Sequence, residues 1–203
     1  MNQHHDTPEA PRFSPAYLEL LREFEGFFPS PYLCPTGHVT IGYGCNLEAL
    51  PIYIPWAGVR AQARHGELRG QRLLRAIQSC GGMCWTRSQA EEAMLAELVG
   101  VHTALVDRCP GYVQLRWQRE FARAECLLDM GYNMGVGRAP SEGRKGSGLL
   151  GFANSLRLIE RGDYAGAADN LQKSLWFRQV GRRARAVTQC MRHGRWPAVE
   201  ALR

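Results

Sequence analysis

Glu25, Cys34 and Thr40 are the side chains of this sequence whose types and spacing suit chemistry. They lie in the segment EGFFPSPYLCPTGHVTIGYG, residues 25–44, with Cys34 nine positions after Glu25 and Thr40 six after Cys34. A carboxyl group can give or take a proton. A thiol is a nucleophile or base once ionised, and a hydroxyl can hold a water molecule. Each also has a plainer reading: a solvated last-turn glutamate, a buried structural cysteine, and a β-branched strand residue. Glu25 stands out because a carboxylate in a last helical turn opposes the negative end of the helix dipole. Phe27 and Phe28 follow it, so dipole and desolvation would together raise its pKa toward the range of a general acid.

The elements that position these groups can be read in chain order. Residues 1–12 are polar, with Pro8 and Pro11, and read as a flexible tail. Ser14 can cap a helix whose first turn suits Pro15. Tyr17, Leu18, Leu21 and Phe24 recur at helical spacing and Gly26 is a natural stop, which gives a helix over 14–25. Tyr32 to Cys34 and His38 to Tyr43, separated by Pro35-Thr36-Gly37, read as a hairpin in a small β lobe over about 30–47. Gly42 and Gly44 suggest a close approach to the backbone. From about 48 to 85 the pattern is poor: Pro51 and Pro55 break it, and Arg60 to Gln78 has helical composition. Thr86-Arg-Ser-Gln-Ala-Glu then opens a long helix over about 87–107. Its apolar stripe is Met94, Leu95, Leu98, Val101, Leu105 and Val106, and it is long enough to tie two lobes together.

After Pro110 the sequence reads as helical to its end, a lobe over 111–203. Phe121, Cys126, Leu127, Met130 and Met134 share one spacing, and helices follow over Leu149 to Arg161, Tyr164 to Phe177 and Arg182 to His193. Residues 135–148, GVGRAPSEGRKGSG, interrupt the lobe as a mobile loop or lid. The fold class expected is α+β, predominantly α-helical, in one domain over 13–203.

Composition narrows the possibilities. A hydrophobic fraction of 45% and a charged fraction of 22% are those of an ordinary globular chain of 203 residues. No run has the roughly 18–20 apolar residues of a membrane span. The start has no basic-then-apolar leader pattern, so synthesis in the cytoplasm and delivery by other machinery are expected. Seven cysteines, an odd number, favour thiols over a disulfide framework. Cys80 and Cys84 lack the second half of a zinc site. The net charge of +6 points to an anionic partner such as cell-wall polymer, phospholipid or nucleic acid. A nucleic-acid role has only that charge behind it.

Glu25, eight residues, Cys34, five residues and Thr40, completed by Thr40-Ile-Gly-Tyr-Gly44, resemble the catalytic signature of phage-type lysozymes, glycoside hydrolase family 24. The middle position of that signature is Asp or Cys. Asp129-Met-Gly-Tyr-Asn-Met-Gly135 resembles the family's inner wall segment. Gly151-Phe-Ala-Asn-Ser-Leu-Arg157 and Ala168-Asp-Asn-Leu-Gln-Lys-Ser-Leu-Trp176 resemble its later helices, and Arg182-Arg-Ala-Arg185 with Gly194-Arg-Trp196 its close. The likeness covers roughly 15–47 and 86–200, and leaves 48–85 and 136–149 as this chain's own.

The resemblance implies a lysozyme-like fold, a small β lobe and a larger helical lobe around a cleft. It implies a bacteriolytic muramidase that hydrolyses the β-1,4 bond between N-acetylmuramic acid and N-acetylglucosamine in peptidoglycan. Glu25 would be the acid, and Cys34 either an ionised nucleophile or base, or a neutral group that places water with Thr40. Arg183 would support Glu25, while Tyr132, Ser155 and Asn170 would contact the glycan. Trp176 suits a cleft wall or a core equally. No metal or organic cofactor is implied, and a monomer is expected. The rival readings are a lytic transglycosylase on the same bond and a catalytically dead cationic module that binds wall or membrane through Arg182 to Arg203. Two settings are open: an endolysin released through a holin, or an antibacterial effector exported by a secretion system and paired with an immunity protein.

Overall fold

The computed structural model describes residues 11–202, so most of the expected tail and Arg203 lie outside the described residues. Among the described residues, Arg22–Ala96 form one compact unit, and those before Arg22 and after Ala96 form the other. The division falls within helix α1 (Pro15–Glu25) and within helix α4 (Arg87–Arg108).

The smaller unit carries an antiparallel sheet in the order β1-β2-β3, over Phe28–Leu33, Val39–Gly42 and Cys45–Asn46. The register pairs Leu33 with Val39, Tyr32 with Thr40, and Thr40 with Asn46. Strand β1 has the sequence FPSPYL, and its two prolines have no N–H to give the ladder. That accounts for its place at a sheet edge and for the irregular register between Phe28 and Tyr32. The central strand β2 is buried along its length.

The stretch 48–85, whose pattern is poor in the sequence, folds into a 3-10 turn at Pro51–Tyr53 and helices α2 (Ala57–Arg64) and α3 (Gly70–Ser79). The helical composition expected as one run over 60–78 is thus two helices. Gly66, in the left-handed region, ends the first of them. The insertion's apolar anchors Ile54, Ala63, Leu73 and Ile77 are buried, and Trp85, also buried, packs edge-on to Tyr53.

The larger unit is helical: α5 (Pro110–Trp117), α6 (Phe121–Met134), α7 (Ala153–Glu160), α8 (Tyr164–Gln172), α9 (Leu175–Val180) and α10 (Arg182–His193). Glu125 of α6 is buried and gathers three donors. It accepts from the Ser14 amide at 2.5 Å, the Ser14 hydroxyl at 2.8 Å and the Trp196 indole at 2.8 Å. Trp196 also stacks on Tyr17, so both ends of the described chain are tied to α6. The expected helix over 164–177 is broken before Leu175, because the Ser174 hydroxyl accepts from the Phe177 amide and caps a new helix.

Two further expectations are corrected. The α4 stripe is narrower than its spacing suggests: Met94, Leu98 and Leu105 are buried, but Val106 is exposed. The glycine-rich segment expected as a mobile loop or lid is a backbone-bonded finger. Arg138 and Ser147 exchange hydrogen bonds of 3.0 and 2.9 Å, and Ser141 and Arg144 bonds of 3.1 and 2.9 Å. Its glycines serve close approach, since a Cβ on Gly137 would stand 1.9 Å from the Ser147 carbonyl oxygen. The basic C-terminal helix runs over Arg182–His193 as expected, with Gly194 left-handed at its end, and its apolar face, including Ala184, Val187, Cys190 and Met191, is buried in the unit's interior. Among the described residues no helix is long and apolar enough to cross a membrane.

Candidate active site

Glu25 is the last residue of α1, and Gly26 closes the helix with an amide bond to the Arg22 carbonyl at 3.0 Å. Its carboxylate lies against the β2–β3 turn: a Cβ placed on Gly44 would stand 3.1 Å from Glu25 Oε2. Gly44 has φ +87°, so a residue without Cβ suits both its backbone and its neighbour. Gly42 answers a different need, since its Cβ position would fall 2.8 Å from Ala90 and 2.9 Å from Trp85. Of the two aromatic residues after Glu25, Phe27 packs on Tyr43 at 5.5 Å and lies under the Arg87 guanidinium at 4.7 Å, while Phe28 packs on Tyr32 at 4.5 Å.

Cys34 follows β1 and opens the turn into β2. The turn is closed by the Cys34 amide on the His38 carbonyl at 2.9 Å and the Gly37 amide on the Cys34 carbonyl at 2.8 Å. The sulfur stands 3.0 Å from the Thr36 hydroxyl. Partial burial pushes the thiol up. The Thr36 hydroxyl and the backbone of His38 and Thr36, with the Thr40 hydroxyl close by, outweigh it and bring the pKa down to about 7. These bonds favour the ionised form of the thiol. Thr40, on the buried central strand, donates its hydroxyl to the His38 carbonyl at 3.2 Å.

The carboxylate and the thiol thus address opposite ends of β2, with the Tyr32–Thr40 rung between them. Tyr32 lies beside these groups, a position that the sequence reading does not single out. Its phenol is pushed up, first by burial and then by the negative charges of Cys34 and Glu25. The signal for it is register: Tyr32 precedes Cys34 by two on the strand and faces Thr40 across it.

In the larger unit, Ser155 of α7 and Asn170 of α8 come together, with the amide donating to the hydroxyl at 2.8 Å. Ser155 is only 1% exposed, so its oxygen orients Asn170, and Asn170 lines an open groove of about 450 Å³ with Phe152, Asn154, Arg157 and Lys173. Pro140 of the finger borders the same groove. Trp176 is buried, stacks edge-on to Phe152 and donates its indole N–H to Asn133 at 3.1 Å. Arg183 makes two bonds of 2.9 Å to the buried Asp129 carboxylate, a fork-to-fork pair. Its guanidinium carbon lies 5.9 Å from the ring centre of Tyr132. That pairing was not legible beforehand, because partners 54 positions apart leave no local pattern.

Among the described residues no group of three or more His, Cys, Asp or Glu side chains could hold a metal ion, and all seven cysteines carry free thiols. The helix-dominated α+β architecture with its small three-stranded antiparallel sheet is that of a lysozyme-like protein. The phage lysozyme family profile matches residues 22–192, most of the chain, and the chain belongs to that family of peptidoglycan-lytic enzymes.

Proposed function

We propose that this protein is a bacteriolytic muramidase of glycoside hydrolase family 24, cutting the β-1,4 bond between N-acetylmuramic acid and N-acetylglucosamine. The observation that carries this reading is the strand with an acid at one end and a hydroxyl-lined, acidified thiol at the other. Glycoside cleavage needs a proton delivered to the leaving oxygen and a water delivered to the anomeric carbon. Glu25 gives its proton to the glycosidic oxygen. Thr40 holds the attacking water, and the Cys34 thiolate takes a proton from that water as the new C–O bond forms. Asn170, steadied by Ser155, bonds glycan amide or hydroxyl groups, and Tyr132 offers its face to a sugar ring. Arg183, held in place by Asp129, is the residue that the resemblance assigns to the support of Glu25.

Mass spectrometry of purified peptidoglycan after digestion tests the reaction class. Hydrolysis gives muropeptides that end in reducing N-acetylmuramic acid. Anhydro-muramyl ends as the main product would replace this reading with transglycosylation, and no soluble product would leave a dead wall-binding module.

A further inference from the structure

The insertion between the sheet and α4 carries a carboxylate that the proposed chemistry does not use. Glu48 begins that insertion, and its side chain is only 6% exposed. One oxygen, Oε1, accepts from the Val39 amide at 3.0 Å and from the Gly70 amide at 2.9 Å. The other, Oε2, meets His38 Nδ1 at 3.2 Å. The Arg69 guanidinium donates to the Glu48 carbonyl at 2.9 Å. Gly70 opens α3, and a Cβ there would stand 3.1 Å from the Gly37 carbonyl oxygen, inside the Cys34–His38 turn. The start of α3 therefore rests on the turn that carries Cys34. Burial opposes ionisation of Glu48, but the amides of Gly70 and Val39 outweigh it and hold the carboxyl below its usual range, so it is charged at neutral pH.

His38 is where this reaches the reacting groups. Its carbonyl accepts both the Cys34 amide and the Thr40 hydroxyl. Whatever fixes residues 38 and 39 fixes the relation of thiol to hydroxyl. We propose that Glu48 is a positioning residue for the hydrolysis: by pinning His38 and Val39 to the start of α3, it sets the geometry in which Thr40 and Cys34 meet the attacking water. The insertion is thereby a brace for the catalytic turn. The inference rests on the muramidase reading for its consequence in turnover, and on the geometry alone for its consequence at Cys34.

The test uses full-length Glu48→Gln, which keeps the shape but removes the charge and turns one of the two acceptor oxygens into an amide donor. A second variant, Arg69→Met, cuts the insertion's hold on the Glu48 carbonyl and the longer, 4.0 Å ion pair to its carboxylate, and leaves the carboxylate itself in place. Two quantities are read below the unfolding temperature: turnover on purified peptidoglycan, and the pH midpoint of Cys34 alkylation resolved by peptide mass spectrometry. The expected result for Glu48→Gln is a kcat about tenfold lower with KM little changed. The Cys34 midpoint is expected to rise from about 7, as its contacts with Thr36, His38 and Thr40 loosen. A merely structural role would lower the unfolding temperature and leave both quantities where they were, and that result overturns the proposal. If Glu48→Gln does not fold, Arg69→Met decides by the same two readouts, with smaller changes in the same directions expected. If the wild-type protein releases nothing from peptidoglycan, the muramidase reading fails, while the Cys34 midpoint still tests the brace.

Discussion

Replacing Gly44 by alanine probes how closely the acid is held. Two effects act at once. A left-handed φ of +87° costs an alanine about 1 kcal/mol. The new methyl would also stand 3.1 Å from Glu25 Oε2, closer than ordinary van der Waals contact, so the carboxylate must retreat by a few tenths of an ångström. Displacement of a reacting group by about 1 Å can cost about a hundredfold in rate, so this smaller shift is expected to cost about tenfold. Gly81→Ala is the matched control, because Gly81 has φ +97° and nothing within 4 Å of its Cβ position. The assay is the initial rate of clearing of a peptidoglycan suspension, corrected for folded fraction by circular dichroism. Both variants should lose similar stability, and only Gly44→Ala should lose turnover. Equal activity in the two would refute the claim that the carboxylate is placed by contact with the Gly44 backbone.

Other outcomes follow from the same geometry. A base works only when deprotonated, so wild-type turnover should fall as pH drops through about 7, the pKa of Cys34. In Cys34→Asp that fall should move down toward about 4, the ordinary aspartate range, which a pH–rate profile checks. Asp129→Asn removes the charged half of the buried fork with Arg183 and should cost about 3 kcal/mol in urea unfolding. Glu125→Gln places an amide where three donors converge and should destabilise the larger unit by about 2 kcal/mol, with earlier exposure of Trp196 to fluorescence quenchers. Ser155→Ala should raise KM for peptidoglycan several-fold with kcat little changed, because it frees Asn170 without touching the acid.

What was legible in the sequence is what local chemistry decides. Helix α1 is announced by Ser14, Pro15 and Gly26, and the β1–β2 turn by Pro35-Thr36-Gly37; both appear where those residues put them. Gly44 reads as a point of close approach, and the approaching group is Glu25 itself. What was not legible depends on partners far along the chain. Asp129 is an ordinary helical acid until Arg183 folds over it. Tyr32 acquires meaning only from the register with Thr40. The insertion has a weak pattern because its helices α2 and α3 are short, with few buried anchors each. Glu48 has no local pattern to mark it, and only the amides of Gly70 and Val39, brought onto it by the fold, single it out. The finger at 135–148 has the composition of a loose loop, and its glycines instead let two backbone segments touch.

The central claim is that the Glu25 carboxyl supplies the proton that breaks the wall glycan. Glu25→Gln keeps the size of the side chain and removes the proton, so the direct measurement is release of reducing ends from purified peptidoglycan by this variant. The expected result is a loss of at least about a thousandfold, with the circular dichroism and unfolding temperature of the wild type. Reducing ends released at the wild-type rate by a folded Glu25→Gln protein would contradict the account.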